Sequence, residues 1–158
     1  MKKSIALLLM ISMIFALTGC GKTKEPETMG EYLLVDFKQR MEENSAVTPQ
    51  EMADALLTNE KIQFSGMTME VSEGSLTGFS ADIKGFDKGV MFSPMIGSIP
   101  FVGYVFTVPA DGDVDAFVET LKTNANPRWN ICTEAEETIV EASDHTVFFL
   151  MCPTDMEE

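Results

Sequence analysis

Phe101-Val-Gly-Tyr-Val-Phe-Thr-Val108 and Val147-Phe-Phe-Leu-Met-Cys152 are the two stretches that decide the fold. Both are apolar at odd and even positions alike, and both are too short for a helix of ordinary length. They therefore predict strands buried on two faces. Thr138-Ile-Val140 precedes the second stretch, and Ser143-Asp144 supplies turn chemistry between them, which predicts a hairpin. Between Val108 and Thr138 the period changes. Phe117, Val118 and Leu121 mark the buried side of an amphipathic helix, with Asp113 or Asp115 placed to cap its first free amides.

Upstream of these strands the chain predicts two helices. Leu33, Leu34, Phe37 and Met41 recur at spacings of three or four from Gly30 onward, and Thr48-Pro49-Gln50-Glu51 opens a second helix with a capping residue, Pro at the first position and Glu three after the cap. Met52, Ala55 and Leu56 supply its buried stripe. After Asn59 the spacing alternates through Ile62 and Phe64, then resumes out of phase at Met67, Met69 and Val71. That pattern predicts one strand with a bulge at Gly66 and the two methionines turned to the core. A turn at Ser72-Glu-Gly-Ser75 leads to Phe79, Ala81 and Ile83, the expected hairpin partner. The predicted fold is α+β: a mainly antiparallel sheet with two N-terminal helices and one later helix packed on one side.

The first 20 residues read separately. Lys2 and Lys3 precede an apolar run from Ile5 to Leu17 broken only by Ser12, followed by Thr18 and Gly19. This is signal-peptide anatomy, and the run is shorter than the roughly 20 residues of a spanning helix. Leu17-Thr18-Gly19-Cys20 resembles the lipobox of bacterial lipoproteins. The resemblance implies that the Cys20 thiol is acylated and that the leader is cut before it, leaving a lipid anchor such as palmitate in the cell membrane with the domain facing outside the cytoplasm. Two or more acyl chains give stable attachment where one gives only marginal binding. The division expected is residues 1–19 as leader, 20–28 as lipidated Cys and flexible tether, and 29–158 as a single domain. The layout from Phe101 to Cys152 is similar to that of small acidic lipoproteins of unknown function in Gram-positive anaerobes, and a shared layout implies no activity.

Charge and size exclude several functions. The chain carries 11 basic and 25 acidic residues, a net charge of −14, and loss of a leader holding Lys2 and Lys3 takes it to −16. A polyanion of this kind does not bind nucleic acid non-specifically. At 158 residues it is too short for a TIM barrel or a two-lobed solute-binding protein.

Catalytic and metal motifs are sparse. There is one His, and no G-x-S-x-G, S-x-x-K, G-x-G-x-x-G or P-loop, so no cofactor is expected and a nucleophile would lack an evident activating base. Asp111, Asp113 and Asp115 alternate like the start of a calcium loop, but Ala116 and Lys122 stand where its Gly and bidentate Glu belong, so helix capping is the preferred reading. Met67, Met69, Met91 and Met95 form two pairs of soft thioethers that suit Cu(I), though Met is more often a core filler, and no metal site is expected. His145 reads as a solvated turn residue, and Glu134, Glu136, Glu137 and Glu141 as a solvated face. Cys132 and Cys152 are the thiols left after acylation of Cys20, and either a disulfide or two free thiols fits them.

The stretch from Met91 to Phe101 contains Pro94, Gly97 and Pro100 within an apolar sequence, which predicts an irregular loop. Met91, Phe92, Met95, Ile96, Ile99 and Phe101, with Trp129, are the candidate interaction surface, the alternative being a loop folded over the core. The expected function is a non-catalytic, membrane-anchored binding domain for a protein, peptide or cell-wall partner. The alternatives are a small carboxylate-dependent cell-wall hydrolase and a carrier of lipid or a small solute.

Overall fold

The computed structural model describes residues 25–156; the leader, Cys20 and the first part of the tether lie outside them. The domain begins with a reciprocal cap. The Thr28 hydroxyl accepts from the Glu31 amide at 3.2 Å, the Glu31 carboxylate accepts from the Thr28 amide, and helix α1 runs from Met29 to Glu43. Thr28 also donates to the Glu137 carboxylate at 2.8 Å, so it belongs to the fold and not to the tether. The predicted box at Thr48 opens helix α2 (Pro49–Leu56), and Asp113 caps helix α3 (Val114–Asn124) by accepting from the Ala116 amide at 2.9 Å.

Five strands, β1 (Gly66–Val71), β2 (Lys88–Pro94), β3 (Val102–Thr107), β4 (Glu137–Ser143) and β5 (Thr146–Cys152), form one antiparallel sheet in the order β1-β2-β3-β5-β4. The α+β class is as the sequence predicts. The β4–β5 hairpin also forms, closed by the pair Ser143 and Thr146 around Asp144-His145, with Asp144 at a φ of 54°. Among the described residues no helix is long and apolar enough to cross a membrane.

Strand alternation sorts the apolar residues into two cores. Val90, Phe92, Val105, Phe148, Leu150 and Cys152 face α1 and α2, where Leu33, Phe37, Met52 and Leu56 are fully buried and Phe37 stacks on Phe148 at 5.1 Å. Tyr104, Phe106, Val147, Phe149 and Met151 point the other way, to Phe117 and Leu121 of α3 and to Leu76, Ile83 and Phe86 of the segment before β2. The expectation that all three helices share one side is therefore corrected for α3. Strands apolar on both faces need a cover on each, and α3 forms half of the second cover.

Two further expectations are corrected. The strand begins at Gly66 without a bulge, since β1 pairs continuously from Gly66 opposite Pro94 to Val71 opposite Gly89. Ile62 and Phe64 instead pack on the α1–α2 core, Phe64 meeting Phe101 edge-on at 4.9 Å. The partner of β1 is β2, not the segment around Phe79 and Ile83. That segment makes only isolated bridges, from Ile83 to Gly74 and from Phe79 to Ala125, because Phe79 turns inward onto Phe149, 4.5 Å away.

Gly103 lies opposite Phe92 in the β2–β3 pairing, and the Phe92 ring occupies the space a Cβ would need. Gly103→Ala must push that ring off Phe148 and Phe101, and overpacking of this kind costs about 1–3 kcal/mol. Gly97→Ala, where no atom lies within 4 Å of the added carbon, is its control. Urea unfolding should show the first loss and a change within about 0.5 kcal/mol for the second.

Candidate functional site

Strand β1 is one edge of the sheet, and its side chains divide by parity. Thr68 and Glu70 share the face covered by α2, and the Thr68 hydroxyl donates to Asp54 at 2.8 Å. Met67 and Met69 lie on the α3 face but beyond the reach of its cover, and are 41% and 47% exposed. The expectation that they turn into the core is corrected: they have the pattern of core residues at a position where the core has ended.

The backbone of β1 divides in the same way. The Met95 amide donates to the Ser65 carbonyl at 2.9 Å, so that opposed pair is hydrogen-bonded. Antiparallel ladders alternate bonded and non-bonded pairs, which makes Met67, Met69 and Val71 the residues bonded to β2. Gly66, Thr68 and Glu70 then direct their N–H and C=O groups away from the sheet. Pro94 fits this parity, since it sits opposite Gly66 where no N–H is needed.

An open groove of about 320 Å³ adjoins the exposed methionines on the α3 face, lined among others by Met91, Ser93, Ile99, Trp129 and Asn130. Asn130 donates to the Gly97 carbonyl at 2.7 Å and ties the two loops that wall it. Met95, Ile96 and Ile131 on these loops are 66%, 74% and 98% exposed. Burying one such side chain is worth about 1.5–3 kcal/mol, so this rim forgoes a substantial stabilisation that a partner would recover.

The sequence-predicted surface is only partly assembled here. Met95 and Ile96 are exposed, Ile99 and Trp129 are half-buried on the groove, and Met91 is buried at its floor. Phe101, only 2% exposed, lines the groove while packing in the α1–α2 core. Phe92 is corrected to a core residue: it has no exposed surface, because alternation sends it to the face opposite Met91 and onto Phe101. Met67, Met69 and Ile131 were not among the predicted residues. The polar spacers Thr68 and Glu70 mark the opposite face as the wet one, so no local signal exposes Met67 and Met69, and nothing in the sequence marks Ile131.

The helix-side flank of β1 is acidic. A second open groove, of about 610 Å³, lies there between the start of α2 with its cap (Thr48, Pro49 and Gln50) and Glu70 of β1, Lys88 of β2 and Asp87 just before it. Asp54 and Glu70 are exposed along this side, and neither forms an ion pair among the described residues; Glu51, on the first turn of α2, is exposed as well. Hydrogen bonds from Thr48 hold Glu51 below the usual carboxylate range, and Thr154 does the same to Glu136. Both are thereby kept charged at neutral pH, whereas a general acid needs the reverse.

The remaining candidates fall into place individually. Asp113 is the α3 cap, and no group of three or more His, Cys, Asp or Glu residues among those described is arranged to hold a metal ion. The two methionine pairs meet on one face, with Met69 opposite Met91. His145 sits in the hairpin turn as expected but is half-buried, its Nδ1 without a hydrogen-bond partner. Glu137 is not part of a solvated face, since it accepts from Thr28 beneath the start of α1. Comparison with known protein families, curated proteins and solved structures returns no match for this chain.

Cys132 is exposed and Cys152 buried, and both are free thiols in the structure. Burial, followed by the charges of Glu137 and Glu136, pushes the Cys152 thiol far up, so it remains protonated and unreactive. A thiol reagent should therefore modify Cys132 in the folded protein and reach Cys152 only on unfolding. Failure of either thiol to react even in denaturant without reductant would show them bridged.

Proposed function

We propose that this chain is a lipid-anchored domain outside the cytoplasm that acts by binding a partner, not by catalysis. The observation that carries the reading is the exposed apolar rim of Met67, Met69, Met95, Ile96 and Ile131 beside the Trp129 groove, on a chain whose net charge of −14 otherwise favours solvation. Large apolar side chains left exposed beside a groove mark interaction sites. The grooves are open, in keeping with a docking surface more than with the enclosed pocket of a lipid carrier. The anchor rests on the lipobox at Cys20, and about eight tether residues would hold the domain within roughly 30 Å of the bilayer.

Thermal unfolding of the domain with peptides, wall fragments, sugars, divalent ions and fatty acids tests the reading, since a ligand that binds only the folded state raises the midpoint. Extended peptides should raise it by several degrees. A shift confined to wall fragments or sugars would favour the hydrolase, and one confined to fatty acids the carrier. The anchor has its own readout. Cells fed labelled palmitate should incorporate it into the wild-type chain and not into Cys20→Ala, and an unlabelled wild-type chain would overturn the membrane part of the reading.

A further inference from the structure

We infer that the free edge of β1 accepts an extended segment of a partner protein as a sixth strand, and that this segment alternates basic and apolar residues. The inference rests on the binding function proposed above and names its site and partner chemistry.

Three observations converge on it. The first is the unpaired backbone of Gly66, Thr68 and Glu70, which presents three outward N–H and C=O sets in register, and no loop of the described residues bonds to them. Such an edge is a template for strand addition, and proteins that avoid this use Lys, Pro, a bulge or a cover. The strand Gly66-Met-Thr-Met-Glu-Val71 has neither Lys nor Pro, and its ladder is unbroken.

The second observation is the apolar side of that edge. A strand laid along β1 continues the pleat, so alternate side chains of the segment lie beside Met67 and Met69 and reach toward the groove floored by Met91. Methionine suits this role, because a flexible thioether adapts to different apolar partners.

The third is the charge on the opposite side. The remaining side chains of the segment lie beside Thr68 and Glu70 and face Asp54 and the groove bounded by Glu70 and Asp87. Lys88 at the far end of that groove is the one basic residue among those lining it. Carboxylates there with no ion-pair partner among the described residues select Lys or Arg, and the charge of the whole chain steers a basic partner in and a second copy of this chain away.

Strand β4 is also an edge, but α1 and α3 pack against it from the two faces, and its Glu137 and Glu141 are engaged by Thr28 and Lys38. On β1 the α3 face is open to solvent, as the exposure of Met67 and Met69 shows.

The test uses the full chain in detergent and fluorescence anisotropy of a labelled peptide of about eight residues in which lysine and valine alternate. It should bind more tightly than a peptide of the same composition with the lysines and valines in separate blocks. Thr68→Pro removes an outward N–H without touching the bonds to β2, and should weaken binding about tenfold or more while leaving the binding of β2 to β1 in place. Because that variant can fail to fold, Glu70→Lys provides an independent check on an exposed side chain. It should weaken the lysine–valine peptide about threefold and strengthen a glutamate–valine peptide by a similar factor. Equal binding of alternating and block peptides, or unchanged binding in a folded Thr68→Pro, would overturn the inference, as would a dimer that Thr68→Pro dissociates. The thermal-unfolding panel reads the binding function independently: a midpoint raised by extended peptides with equal binding of alternating and block peptides removes the edge site alone, and no shift with any peptide removes the binding function itself.

Discussion

The pairing of β3 with β5 is the constraint on which the rest of this molecule depends. Tyr104, Phe106, Phe149 and Met151 on one face and Val105, Phe148 and Leu150 on the other have no exposed surface. Neither face can be left to water, since each of these side chains is worth about 1.5–3 kcal/mol on burial. Helices α1 and α2 settle one face through a stack from Phe37 to Phe148 to Phe92, with ring centroids at 5.1 and 6.3 Å. The other face is settled by α3 and an irregular segment, through Phe117, Phe106 and Tyr104 at 5.3 Å intervals. The Tyr104 hydroxyl, buried with its ring, donates to the Thr77 carbonyl at 2.8 Å, which fixes that segment to the sheet.

Cover on the second face is short, and that shortage creates the candidate site. One helix of 11 residues lies on it, near β4 and β5. Going outward from β5 through β3 and β2, the protection falls from Phe149 and Tyr104, with no exposure, to Met91 at 9% and then Met69 at 47% along a single row of opposed residues. Exposed methionines at β1 are the end of that gradient, and the outward-facing backbone of Gly66, Thr68 and Glu70 lies at the same place. An apolar row, a bonding edge and an acidic flank thus coincide because one strand stands where the core runs out.

Much of the fold is legible in the sequence where the signal is local. The box at Thr48, the cap at Asp113, the hairpin between β4 and β5, and the doubly buried strands all depend on residues within a few positions of one another. What depends on strand order is not legible locally. Met67 and Met69 alternate as core residues do, and only the position of β1 at the edge exposes them. Phe92 and Met91 are neighbours in an apolar run, and only the pairing with β3 decides that one enters the core and the other floors a groove. The doubly apolar strands themselves implied two covers, so the placement of α3 on the second face follows from the sequence pattern once that implication is pursued. Ile131 lies between Asn130 and Cys132 with no periodic context, and its near-complete exposure has no local cause in the chain.

Residue-resolved amide hydrogen exchange reads the unpaired edge of β1 residue by residue. The amides of Met67, Met69 and Val71, bonded to β2, should be protected, while those of Gly66, Thr68 and Glu70 exchange at rates close to those of unstructured chain. Equal protection along all six residues would mean that the edge is already covered and has no place for a further strand.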